Sequence, residues 1–168
     1  MKQLNLVLLW HMHQPDYRDY VTNQFVLPWV YLHAIKDYTD MAYHLESHPK
    51  TKVVVNFVPV LLDQLDDFAQ QFSTKQIRCP LLRLLATPEL ENITMQDRLY
   101  IFDSCFLSNH ENMLQPYPAY KRLHDLYQVF NKVSERELKY FSGQYLADLL
   151  VWYHLAWMGE SVRRNNEL

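Results

Sequence analysis

LNLVLLWHMHQPDYR, residues 4–18, changes character halfway along. Residues 4–10 are a nearly continuous apolar run, which predicts a β-strand buried on both faces. The run ends in His11 and His13, and Gln14-Pro15 stops it. Downstream, residues 28 to about 47 predict a helix. Leu27 and Pro28 open it, with Pro28 in the first turn, and Tyr31, Ile35, Tyr38, Ala42 and Leu45 recur on one face. His48-Pro49 closes it. Residues 52–58, KVVVNFV, are rich in β-branched side chains and predict a second strand. Strand, helix and strand in succession make a βαβ unit, so the two strands are expected to be parallel neighbours.

Beyond Pro59 the pattern is helical. VLLDQLDDFAQQF (60–72) reads as one helix and PLLRLLATPEL (80–90) as a short apolar helix and turn. Thr94 and Asp97 have the spacing of a capping box that opens a helix to about residue 108. NHENMLQPYPAY (109–120), with two prolines, reads as a loop, and residues 119–132 as a helix. Ser134 and Glu137 have capping-box spacing for a long helix that runs on through YLADLLVWYHLAWMGE. No third strand is expected. Two parallel strands do not make a stable sheet alone, because parallel sheets are built from more strands and covered on both faces. The chain then closes on RRNNEL without returning to the sheet. The expectation is an α/β fold in which residues 1–168 form the N-terminal part of a larger, truncated domain.

Composition excludes several classes. The chain is 49% hydrophobic, enough for a packed core, and its net charge of −3 includes no basic stripe, so nucleic acid is not an expected partner. No run of about 18 apolar residues is present, and the start has no signal-peptide pattern. A cytoplasmic protein without membrane contact is expected. Cys79 and Cys105 match no metal or redox spacing and read as buried free thiols. The only glycines are Gly143 and Gly159, against an average of about 7% of residues, which disfavours hairpin-rich all-β folds and excludes Gly-rich phosphate loops.

His11 to Pro15 falls at the C-terminal end of the first parallel strand, where α/β proteins bind ligands. Alternation along a strand puts His11 and His13 on one side. Three readings stand at this point: a hydrogen-bonded structural pair, two metal ligands, or a pair of hydrogen-bonding groups for a polar ligand such as a sugar, with Gln14 adding an amide.

WHMHQPDYR, followed by LPWVYLHAIKDYTDMAYHLE, VVVNFVPVLLDQLDDF and ADLLVWYHLAWMGE, resembles the N-terminal region of glycoside hydrolase family 57. That family includes α-amylase-like, amylopullulanase and 4-α-glucanotransferase members, and the His-Gln-Pro triplet at 13–15 matches its first signature. The resemblance covers nearly all of the chain, most firmly 5–68 and 146–159. It implies part of an incomplete (β/α)7 barrel, retaining chemistry on α-glucan or maltooligosaccharide, and no cofactor. It places His13 against the sugar in the cleaved subsite and His11 beside it. Gln14, Asn56 at the second strand's end and Trp29 beside Pro28 are further candidates.

The family's Glu nucleophile and Asp acid/base lie on later barrel strands. Retention needs two carboxyl groups about 5 to 5.5 Å apart. Asp16 is the only acid just beyond a strand end. Asp63, Asp66, Asp67, Asp97, Asp103, Asp148 and Glu160 fall on helices, on faces expected to be solvated, and Glu111 in a loop. No catalytic residue is therefore assigned, and the chain by itself is expected to be inactive. It would need the missing downstream segment of the same enzyme as its partner. A metal-dependent amidohydrolase or deacetylase using His11 and His13 is the alternative chemistry, and a non-catalytic glucan-binding remnant a third. His44 and His48 are spaced i, i+4, but HLESH is not HExxH, and His33, like this pair, is not assigned to a metal. Trp152 and Trp157 read as core.

Overall fold

The computed structural model describes residues 4–129 and 135–164. It contains two compact units, Met1–Arg78 with Gly159–Leu168, and Cys79–Met158.

In the first unit, β1 (Leu9–Met12) and β4 (Val54–Phe57) pair in parallel, with Leu9 opposite Val54 and His11 opposite Asn56. The βαβ expectation holds. The expectation of a strand buried on both faces over 4–10 does not. The strand starts only at Leu9, and Leu6, Val7 and Leu9 are 79%, 75% and 62% exposed. The physical reason is that β1 has one hydrogen-bonded neighbour, β4, in its sheet. His11 therefore lies inside the strand rather than after it. A short antiparallel pair, β2 (Arg18–Asp19) and β3 (Gln24–Phe25), is the further strand pairing that the sequence did not announce. Its turn has no glycine. Asn23 takes the left-handed conformation instead, at φ 56°, which a short polar side chain tolerates.

The expected helix over 28–47 is one helical run with a π turn in it: α1 (Trp29–His33), π-helical Ala34–Tyr38, and α2 (Thr39–Ser47). Pro28 sits at the N-cap rather than in the first turn, and His48 ends the run as expected. β4 leads through Val58 into α3 (Pro59–Thr74), whose buried stripe is Leu61, Gln64, Phe68 and Gln71. Phe68 packs against Phe25 and Tyr31, with ring centroids 4.3 and 5.5 Å away.

The last described segment, α9 (Glu160–Arg163), returns to α2. Asp40 caps it from outside, accepting from the backbone N–H of Glu160 at 2.8 Å and of Ser161 at 2.9 Å. Gly159 makes this approach feasible: a Cβ there would lie 2.6 Å from Asp40 Oδ1 and 3.0 Å from the Lys36 carbonyl oxygen. Gly159→Ala is therefore expected to destabilise the chain by about 1–3 kcal/mol, the usual range for forced overpacking. Urea unfolding measures it, and a loss below about 0.5 kcal/mol, the range of unconstrained surface sites, would show that the α2–α9 junction yields freely.

The second unit is helical: α4 (Pro80–Leu85), α5 (Met95–Cys105), π-helical His110–Leu114, α6 (Pro118–Val129), α7 (Glu135–Leu138) and α8 (Gly143–Trp157). Thr94 caps α5 as expected, its hydroxyl accepting from Asp97 N–H at 3.1 Å. Two expectations fail. Residues 110–114 are helical rather than loop, because Asn109 caps them through Asn112 N–H. The long helix is not continuous: α7 runs only from Glu135 to Leu138, and the expected cap at Ser134 lies outside the described residues. Ser142 caps α8 instead, accepting from Tyr145 N–H at 3.2 Å, and the chain breaks between Leu138 and Gly143. Phe102 stacks on Tyr127 at 5.0 Å and meets Phe141 at 4.9 Å. Trp157, Cys79 and Cys105 are buried, and Trp152 is half-buried against Tyr117.

Candidate functional site

The C-terminal end of the β1–β4 pair gathers the polar groups of interest. Extended backbone sends His11 and His13 to the same side, and their rings stand edge to face with centroids 5.6 Å apart. Both are exposed. Parallel register brings Asn56 opposite His11, and Asn56 Oδ1 lies 2.6 Å from His11 Nδ1. A carboxamide oxygen only accepts, so Nδ1 carries the proton and Nε2 of the neutral ring is left as an acceptor.

Gln14 sits differently. Tyr17 Oη donates to Gln14 Oε1 at 2.9 Å, and Gln14 also hydrogen-bonds to Tyr38. Burial raises the pKa of both phenols, while the Gln14 bond works against that rise at Tyr38. Tyr38 is the last residue of the π turn, and such turns often occur at functional sites. Trp29, half-buried, is the first residue of α1. The structure thus unites His11, His13 and Asn56, and holds Gln14 in a separate network of phenols.

The carboxylates beside this edge are committed elsewhere. Arg18 donates through Nε to Asp16 Oδ1 and through Nη2 to Asp16 Oδ2, both at 2.9 Å. The same Nη2 lies 2.6 Å from Asp63 Oδ2, and Nη1 lies 3.8 Å from Asp67. Tyr20 also donates to Asp16. The Arg18 hydrogen bonds hold the Asp16 carboxyl well below the usual carboxylate range, and the carboxylates raise Arg18 in turn. Three carboxylates gather around Arg18, but a general acid needs a raised pKa, and Asp16 has a lowered one. Asp67 is not on a solvated face as expected: its side chain is 15% exposed and held by Arg78. Glu111 lies in the π-helical turn rather than a loop.

Sequence reasoning missed Gln64. It is fully buried on α3, where Oε1 accepts from Tyr17 N–H at 2.9 Å and Nε2 donates to the Pro15 carbonyl at 2.9 Å. A signal existed: Gln64 falls on the stripe of Leu61 and Phe68, and a polar residue on an apolar helix face is informative. Among the described residues no three His, Cys, Asp or Glu side chains converge to hold a metal ion. Nor is any described helix long and apolar enough to cross a membrane.

A strand-end histidine pair in a mixed α/β chain is the setting that the sequence resemblance led one to expect. Residues 7–166 match the family described as Glycosyl hydrolase family 57, and the chain belongs to that family. At the level of family it is a glycoside hydrolase, and a glycan is its class of substrate. Comparison with curated proteins and with solved structures gives no significant match.

Proposed function

We propose that residues 1–168 are the N-terminal portion of a (β/α)7 barrel in a retaining α-glucan-acting hydrolase or 4-α-glucanotransferase. In this reading the chain supplies a sugar-binding edge and not the catalytic carboxylates. The observation that carries it is the His11–His13–Asn56 group, exposed at the C-terminal end of parallel strands. His13 and His11 face the sugar ring, with His11 Nε2 free to accept from a hydroxyl. Asn56 sets the His11 ring, Gln14 supports the edge from behind, and Trp29 offers an apolar wall near the mouth. The barrel reading is supported by the exposed apolar side chains of Leu9 on β1, of Leu6 and Val7 just before it, and of Val54 and Phe57 on β4. Further parallel strands would cover them.

The lowered pKa of Asp16, the acid nearest the strand end, supports the division of labour. Asp16 and Asp63 share one guanidinium, and Asp16, held well below the usual carboxylate range, is not the protonated acid that retention requires. The purified chain is expected to bind maltoheptaose, release no sugar from it, and self-associate through its uncovered strands. Titration followed by tryptophan fluorescence, a reducing-sugar assay and sedimentation equilibrium test these points. A monomer that releases sugar, with activity abolished by changing one of its own carboxylates, would overturn the assignment.

A further inference from the structure

A fully buried glutamine is an unusual choice for α3, because an apolar side chain would fill the space without desolvating an amide. Gln64 uses both ends of that amide. Besides its bonds to Tyr17 and Pro15, Nε2 donates to the Val60 carbonyl one turn earlier at 3.1 Å. A second tether lies upstream, where Val58 N–H donates to the Met12 carbonyl at 3.1 Å. Both tethers come from the segment that leaves β4 and begins α3. Between the tethered residues Met12 and Pro15 the chain has two residues, His13 and Gln14. Gln14 is itself held by Tyr17, whose backbone N–H is bound to Gln64. The Asp16–Arg18 pair then ties the next residues to Asp63 on the same helix.

We infer that Gln64 is a positioning residue of the candidate sugar edge: by clamping Pro15 and Tyr17 onto α3 it sets the His13–Gln14 span, and with it the spacing of His13 from His11. This rests on the reading that the edge binds an α-glucan. A two-residue span pinned at both ends has little freedom, so an exposed ring can keep one orientation without contacts of its own. Rings placed before a ligand arrives avoid the ordering cost of binding. Removing the clamp frees Pro15 and Tyr17 and lets His13 drift relative to His11, although neither histidine is altered.

The test compares three variants of the whole chain. Gln64→Met preserves volume and removes all three hydrogen bonds. Gln64→Glu keeps an acceptor for Tyr17 N–H and provides a second route if the first variant does not fold. Phe68→Leu weakens the packing of the same helix on Phe25 and Tyr31 while leaving the amide in place. Maltoheptaose binding is followed by tryptophan fluorescence, and Tm is measured alongside. Gln64→Met and Gln64→Glu are expected to raise Kd at least tenfold, while Phe68→Leu lowers Tm and leaves Kd within twofold. A folded Gln64 variant that binds as the parent does would overturn the inference alone. So would a Phe68→Leu variant that loses as much affinity, because the role of Gln64 would then be general stability. A parent chain that does not bind maltoheptaose would overturn the sugar-edge reading, and this inference with it.

Discussion

On the proposed reading, His13→Ala in the full-length enzyme is expected to raise the barrier in kcat/KM on α-glucans by roughly 2 to 4 kcal/mol, the scale of a lost transition-state hydrogen bond. The expectation follows from geometry. His13 is exposed at a strand end with its ring 5.6 Å from that of His11, and Asn56 fixes the His11 tautomer from the neighbouring strand. The change should leave Tm almost unaltered, because an exposed ring has little packing to lose. Activity within twofold of the parent would remove His13 from the site. Zinc bound at one ion per chain, and lost in both His11→Ala and His13→Ala, would place metal chemistry there instead.

Arg98→Ala is expected to destabilise the second unit by about 3 kcal/mol or more. Arg98 is buried on α5, and its guanidinium serves backbone carbonyls from separate segments. Nη1 donates to Phe141 at 2.6 Å and Leu138 at 3.3 Å, and Nη2 donates to Glu91 at 2.5 Å. Leu138 and Phe141 flank the break before α8, Glu91 lies in the segment before α5, and the guanidinium ties the two segments together. Truncation leaves several buried acceptors unpaired and opens a cavity. Arg98→Lys should recover only part of the loss, since an ammonium cannot span the same fork. Urea unfolding measures both variants, and a loss under 1 kcal/mol would mean that water replaces the guanidinium.

The failures of sequence reading share a cause. The run over 4–10 looks doubly buried because apolarity reports what a segment needs, not which neighbours it has, and among the described residues β1 has only β4 beside it in its sheet. The long helix expected from Ser134 and Glu137 onward is split, because a second cap, at Ser142, sets the N-terminus of α8 after α7 has ended at Leu138. The π turn at Ala34–Tyr38 escaped notice because its inserted residue hardly disturbs a helical pattern of apolar positions. Gln64 was passed over within VLLDQLDDF, where its neighbours draw the eye to charge rather than to an amide between Leu61 and Phe68 on the apolar stripe.

By itself the sequence determined the parallel βαβ pairing, the capped start of α5, the two buried thiols and the histidines on one side of a strand. Each depends on local periodicity or on side-chain chemistry a few residues apart, which a linear chain displays directly. Only the tertiary structure decided that Asn56 orients His11, that Arg18 reaches Asp63, and that Gln64 holds the loop beyond His13. Those partners are 45 to 49 residues apart in the chain, and a hydrogen bond across such a distance is specified by strand register and helix docking rather than by any pattern near either residue.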